Sequence, residues 1–250
     1  PIIRNDATGR WFAEALMARA RAGVAVRVLY DWLGSVATGH RFWRGLRQAG
    51  CEVRCFNPPS LFRPLQAVAR DHRKLVVADG ARAVVGGLCI GDEWAGDPGR
   101  AKPPWRDTAV LIEGPASQAL DLAFADVWGL AGPPLDPGEL ASDVASAGEA
   151  AVRVVVGVPG RERAYRVLEY LAAGCRRRLW IVDAYLVPPP RLFDVLALAA
   201  GDAVDIRLLV PGSSDLPVIR DLARIGYRDL LRAGIRIFEW QGPMIHAKTM

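Results

Sequence analysis

Two short stretches of this chain hold a histidine and a lysine two residues apart. His72-Arg73-Lys74 is followed by Asp79, which gives H-x-K-x-x-x-x-D, and His246-Ala247-Lys248 begins the same pattern again. On a strand, residues two apart point to the same face. Each pair therefore offers one imidazole and one ammonium to a common pocket. Two such pairs around one anion suit a phosphodiester. The ammonium groups of Lys74 and Lys248 would hold its non-bridging oxygens and offset charge that develops in the transition state. One imidazole can attack phosphorus and form a covalent intermediate. The other can protonate the leaving alcohol and then deprotonate the incoming one. Water or an alcohol as second acceptor decides the product, and these residues do not distinguish them. A nucleophilic imidazole also needs its far nitrogen held, usually by a carboxylate. Asp107, in Trp105-Arg106-Asp107-Thr108, is the candidate. Asp79 lies at the far end of a strand from His72. It reads as an orienting or structural carboxylate, and equally as a turn residue in Asp79-Gly80.

The motif pair belongs to a longer repeat. Gly23 to Tyr30 resembles Ala203 to Val210, and Leu46 to Arg54 resembles Leu231 to Ile237; each second segment leads into its His-x-Lys. Gly23 and Ala203 are 180 residues apart, whereas His72 and His246 are 174 apart. The shortfall predicts a longer loop before the first histidine, around Asn57 to Ala69. A period this long does not suggest a solenoid, whose repeats run about 20–50 residues; it suggests two homologous α/β halves facing each other. By the same spacing the second aspartate would fall at position 253, past Met250, so the chain is expected to be cut within its second motif. Pro1 is not an initiator, and Ile2-Ile3 read as the end of a strand, so any upstream signal or anchor is outside this chain.

Helical and strand patterns alternate, as in α/β proteins. Helices are predicted over Trp11–Arg21, Phe42–Gln48, Ser117–Trp128, Arg163–Ala173, Arg191–Ala200 and Leu216–Arg232. Strands are predicted over Val24–Tyr30, Lys74–Ala78, Ala83–Gly86, Thr108–Ile112, Val152–Val156, Leu179–Val182, Asp205–Val210 and Ile235–Glu239. A segment rich in Pro, Gly, Ala, Ser and acids reads as a linker. The predicted division is 1–130 for the first half, 131–150 for the linker and 151–250 for the second half.

Composition narrows the setting. At 250 residues the chain can bury a large core, and 51% of its residues are hydrophobic, with a mean hydropathy of +0.13. No segment has the roughly 18 uninterrupted apolar residues of a membrane span. Net charge is +5 with arginine far outnumbering lysine, which suits phosphates. The cysteines Cys51, Cys55, Cys89 and Cys175 form no C-x-x-C pair. They fit a reduced, cytoplasmic-side protein better than a disulfide scaffold. Three scattered histidines and these cysteines show no zinc-ligand spacing. His40 reads as a loop residue, and Gly86-Gly87 to Gly91 lacks the dinucleotide fingerprint.

The motifs resemble those of the phospholipase D superfamily, and within it the bacterial cardiolipin synthases. Tyr30-Asp31-Trp32-Leu33-Gly34-Ser35 resembles the family's Y-D-x-x-G-S, and Arg70-Asp71-His72-Arg73-Lys74 its R-x-H-R-K. Gly86-Gly87, Trp105-Arg106-Asp107, Glu113-Gly114-Pro115 and Ala184-Tyr185-Leu186-Val187-Pro188 resemble its G-G, W-x-D, G-P and Y-F-x-P elements. Tyr227 to Gly234 resembles its Y-x-x-L-L-x-A-G. The resemblance implies two pseudo-symmetric α/β halves, each a mixed sheet flanked by helices, with the site at their interface and no metal or cofactor. It also implies a phosphohistidine intermediate and phosphatidyl transfer between phosphatidylglycerol molecules, with His72 as nucleophile and His246 as acid and base. The implied partners are anionic phospholipid and a membrane surface, at the cytoplasmic side of the bacterial cell membrane, peripheral or anchored by a segment outside this chain. Where the family usually has Asn, this chain has Cys89, read as a small buried residue.

The alternative on the same scaffold is a phosphodiester hydrolase acting on phospholipid. Its nucleic-acid version gains from the sequence pI of about 9.3 but lacks a long basic stripe with aromatic stacking positions. A lipid-binding module without catalysis is opposed by the intact His72, Lys74, His246 and Lys248. Trp94 and Trp240 follow motif loops and are candidates for dipping into lipid, against a core role. Arg220, Arg224 and Arg228 form a helical stripe that faces either anionic lipid or solvent.

Overall fold

The computed structural model describes residues 2–59, 70–97, 99, 102–141, 143–157 and 163–250. It is mixed α/β and divides into two compact units, Pro1–Pro104 with Ala109–Val152, and Trp105–Thr108 with Arg153–Met250.

The first unit begins with helix α1 (Ala7–Arg21), whose start is capped by the Asp6 carboxylate accepting from the Gly9 amide at 2.8 Å. Strand β1 (Arg27–Asp31) follows, then helix α2 (His40–Gln48) and strand β2 (Glu52–Phe56). β1 and β2 pair in parallel, from Arg27 opposite Glu52 to Asp31 opposite Phe56. β1 forms because Val28 and Leu29 are both buried in a β-favouring run. α2 turns Trp43 and Leu46 inward, and the Tyr30 ring stacks on Trp43 at 3.8 Å. Gly50, at φ +97°, lets the chain reverse after α2 into the left-handed conformation a side chain resists.

Strands β3 (Leu75–Ala78), β4 (Arg82–Gly86) and β5 (Ala109–Glu113) make an antiparallel sheet in sequence order. Between β4 and β5 lies the short helix α3 (Asp92–Ala95). Helix α4 (Ala116–Leu130) packs Leu120, Ala123, Val127 and Trp128 inward. A 3-10 turn, Pro137–Glu139, interrupts the segment expected to be a linker.

The second unit is a simpler layering. Helix α5 (Arg163–Gly174), strand β6 (Arg178–Val182), helix α6 (Pro190–Gly201), strand β7 (Asp205–Pro211), helix α7 (Pro217–Arg232) and strand β8 (Arg236–Trp240) follow in order. The three strands are parallel, with β7 central. Ile206, Leu208 and Val210 of β7 are about 1% exposed and pack with Leu196 of α6 and Leu230 of α7. A central parallel strand is covered on both faces, which is why it reads as an apolar run.

Several expectations need correction. Val152–Val156 forms no strand: Val152 and Val155 are 47% and 38% exposed, and none of these residues is in a ladder. Neither His-x-Lys pair lies inside a strand; Lys74 immediately precedes β3, and His246–Lys248 lies between two isolated bridges. Trp94 is buried at 8% exposure and so does not reach a lipid surface from here. The arginine stripe of α7 is partly neutralised, since Arg220 pairs with Asp221 and Arg224 with Glu239. Most of the loop expected at Asn57 to Ala69, residues 60–69, lies outside the described residues.

Candidate functional site

In the first unit the site grows from the carboxyl end of β1. Asp31 is 2% exposed and takes three donors: the Gly34 amide at 2.8 Å, the Arg70 Nε at 2.7 Å and the Asp71 amide at 3.1 Å. One buried carboxylate thus ties the turn after β1 to the segment that carries His72. In the sequence Asp31 stands within the Tyr30–Ser35 motif with no role of its own to mark it. The signal was present, because a lone acid ending an apolar strand needs partners when buried. From Asp71 the chain alternates. Arg73 reaches α4 and donates to the Ala123 carbonyl at 2.9 Å. His72 and Lys74 meet on the other side, with the buried Lys74 Nζ 3.2 Å from His72 Nδ1 and 3.3 Å from Nε2. The same ammonium donates to the His72 carbonyl at 3.0 Å. The Gly86 amide donates to the Lys74 carbonyl at 3.2 Å, which fixes the pair to the start of the β3–β4 ladder. Cys89, beyond Gly86-Gly87, is buried.

Asp79 stands elsewhere. It is exposed and forms the β3–β4 turn with Gly80, at φ +54° and +61°. Two successive positive φ values belong to the hairpin turn that Asp-Gly favours. The Ala81 amide closes the turn on the Ala78 carbonyl at 3.0 Å. Of the two readings open in the sequence, the turn describes its position.

In the second unit the site lies at the carboxyl ends of the parallel strands, where open α/β sheets bind ligands. The segment after β8 is held on two sides. Arg106 donates its amide to the Met244 carbonyl at 2.8 Å, and the His246 amide donates to the Arg106 carbonyl at 2.7 Å. Val182, ending β6, exchanges two backbone hydrogen bonds with Thr249. His246 is therefore placed from both flanks, at 4% exposure. Its Nδ1 is 2.8 Å from Asp107 Oδ2, and the two side chains are 5% and 0% exposed. The other Asp107 oxygen accepts from the Thr108 amide at 2.7 Å. With Nδ1–H donating to the carboxylate, Nε2 is the ring nitrogen that faces Lys248, whose Nζ is 3.5 Å away.

Two rings complete this half. Trp105 lies 5.9 Å from the His246 ring, and Tyr185 meets it edge-on at 5.8 Å. The structure thus brings together His72 with Lys74, and Asp107 with His246 and Lys248. The need for a carboxylate behind an imidazole was legible in the sequence; that Asp107 serves His246 was not.

Residues 169–250 match the family described as cardiolipin synthase, PLD-like domain. The match covers the carboxyl-terminal third of this chain. Over its full length the chain is 34% identical to the cardiolipin synthase of Geobacillus kaustophilus (strain HTA426) and to cardiolipin synthase A of Pseudomonas aeruginosa (strain LESB58). It covers 51% of each, so it spans about half the length of the curated relatives it matches. The chain is thus similar to cardiolipin synthases along its whole length, and to their PLD-like domain over its last third. Its fold is similar to that of phosphatidylserine synthase from Haemophilus influenzae Rd KW20, with a TM-score of 0.66 and 14% identity over 98% of this chain and 68% of that one. Polyphosphate kinase from Porphyromonas gingivalis is similar at a TM-score of 0.54 and 15% identity, over 94% of this chain and 32% of that one. At such identities the likeness concerns the fold alone. No helix among the described residues is long and apolar enough to cross a membrane.

Proposed function

We propose that the protein is a phosphatidyltransferase of the cardiolipin synthase type, moving a phosphatidyl group between phosphatidylglycerol molecules through a phosphohistidine. The observation that carries this reading is the buried Asp107–His246 pair with Lys248 beside it. In the first displacement a His72 ring nitrogen attacks phosphorus, and the bond from phosphorus to the glycerol oxygen breaks. His246, which enters this step protonated on both ring nitrogens, gives its Nε2 proton to that oxygen, and glycerol leaves. In the second, the free glycerol hydroxyl of another phosphatidylglycerol loses its proton to His246 and attacks phosphorus, breaking the P–N bond. Two phosphatidylglycerols become cardiolipin and glycerol. Lys74 and Lys248 hold the non-bridging oxygens. Asp107 keeps Nδ1 protonated, so that Nε2 is the atom which exchanges protons. Anionic phospholipid at the cytoplasmic face of the bacterial cell membrane is the proposed partner, with the protein peripheral or anchored by a segment outside this chain.

The role of each histidine is tested by trapping. With radiolabelled phosphatidylglycerol, His72→Asn abolishes the acid-labile protein adduct, while His246→Asn accumulates it and turns over slowly. The reverse pattern would exchange the two roles. Phosphatidic acid as the sole product would make the protein a hydrolase on the same scaffold.

A further inference from the structure

Tyr185 occupies a position the proposed chemistry has not used. It follows β6 between Ala184 and Leu186, both buried at 3% and 6% exposure. With its neighbours turned into the core, its ring turns the other way, toward the His246 segment. Its amide donates to Asp183 Oδ1 at 2.8 Å, and its hydroxyl donates to Asp215 Oδ1 at 2.7 Å. Asp215 lies in the loop between β7 and α7. That loop is itself pinned, because the Gly212 amide donates to the Trp240 carbonyl at 3.1 Å. A Cβ at Gly212 would sit 2.7 Å from that carbonyl oxygen, so only glycine permits the approach. A single ring therefore bridges the carboxyl ends of two strands. Its edge meets the His246 ring at 5.8 Å, and the Lys248 ammonium stands 5.4 Å from its centroid.

We infer that Tyr185, anchored through its hydroxyl on Asp215, is a positioning residue that sets the Lys248 ammonium and the His246 ring for phosphate. This rests on reading Lys248 as the cation that holds the phosphate oxygens. A lysine carries a flexible four-carbon stem. The face of the tyrosine ring attracts the ammonium and limits where it points. The hydroxyl–carboxylate bond is charge-assisted and fixes the ring plane. Its role is exerted through Lys248 and His246, the two groups its ring meets.

The test combines kinetics with anion affinity in the full-length protein. Tyr185→Phe and Asp215→Asn each lower kcat about five-fold with KM nearly unchanged, and the double variant falls no further than either alone, as for one shared hydrogen bond. Tyr185→Leu, which removes the ring, lowers kcat about 50-fold and weakens inorganic phosphate binding about five-fold, approaching Lys248→Met. Melting temperatures of Tyr185→Phe and Asp215→Asn stay within about 2 °C of the parent. Multiplicative losses in the double variant, or a Tyr185→Leu protein that only melts earlier, would overturn the inference. If the parent protein turns over no phosphatidylglycerol, the phosphatidyltransferase reading fails instead. Phosphate affinity then decides the role of Tyr185 by itself.

Discussion

Asparagine at position 107 is nearly isosteric with aspartate but reverses one hydrogen bond. The Thr108 amide donates to Asp107 Oδ1 at 2.7 Å, so a carboxamide keeps its oxygen there and turns its NH2 toward His246. That NH2 can only donate, and His246 Nδ1 sits 2.8 Å away. The imidazole must therefore place its lone pair on Nδ1 and its proton on Nε2. Nε2 then faces Lys248 with a proton and cannot accept one from an incoming alcohol. Water has no room to relieve the mismatch, since the two side chains are 5% and 0% exposed. Holding the wrong tautomer in a carboxylate–imidazole pair costs about 10^4 in kcat, or about 5.5 kcal/mol at the barrier. Asp107→Ala removes the acceptor without imposing a tautomer, and a loss of about 10^2–10^3 is expected. The assay is the initial rate of diester turnover in mixed micelles, with folding checked by near-ultraviolet circular dichroism. Activity of Asp107→Asn within about ten-fold of the parent would refute the account of His246.

Four further outcomes are expected. Asp31→Ala strands the amides of Gly34 and Asp71 and the Arg70 guanidinium; it should cost about 2–4 kcal/mol in urea unfolding and lower turnover by loosening the His72 segment. At Asp79, φ +54° suits Asn but not a β-branched residue. Asp79→Val should therefore lose about 1–2 kcal/mol by calorimetry, and Asp79→Asn should lose little. The hydrogen bond from Arg207 and then that from Arg236 hold the Asp205 carboxyl well below the usual carboxylate range. This depressed value stabilises the fold above the unfolded value of about 3.9, and the gain is lost as pH falls below it. Melting temperature should drop less steeply below pH 4 in Asp205→Asn. Burial pushes the Tyr30 hydroxyl up to about 12, so its contribution persists below pH 10 and fades between 10 and 12, a fall that Tyr30→Phe should flatten.

The alternation of helix and strand was legible because apolar spacing follows what each element buries. Ile206, Leu208 and Val210 read as a covered strand and are one. The failures share a cause. Val152–Val156 has strand composition, but a strand exists only with a partner, and composition names none. Trp94 was placed by its neighbours in sequence, whereas packing buries it. Within the site, residue types announced what was needed: imidazole, ammonium and a carboxylate behind the imidazole. Contacts between distant positions were not legible. Asp107 and His246 are separated by 139 residues, Asp31 and Arg70 by 39, and Tyr185 and Asp215 by 30. Each depends on where strand ends and loops converge, which no local pattern specifies. Asp79 shows the converse, since one motif position served a hairpin turn and the surrounding Asp-Gly pair was the better guide.

The central claim is phosphatidyl transfer through a histidine adduct, and product identification tests it most directly. Full-length protein is incubated with phosphatidylglycerol in mixed micelles containing chelator, and lipids are identified by mass spectrometry. Cardiolipin and glycerol in equal amounts, lost in His72→Asn, are the predicted result. Turnover of another phosphodiester with no cardiolipin from phosphatidylglycerol would contradict it.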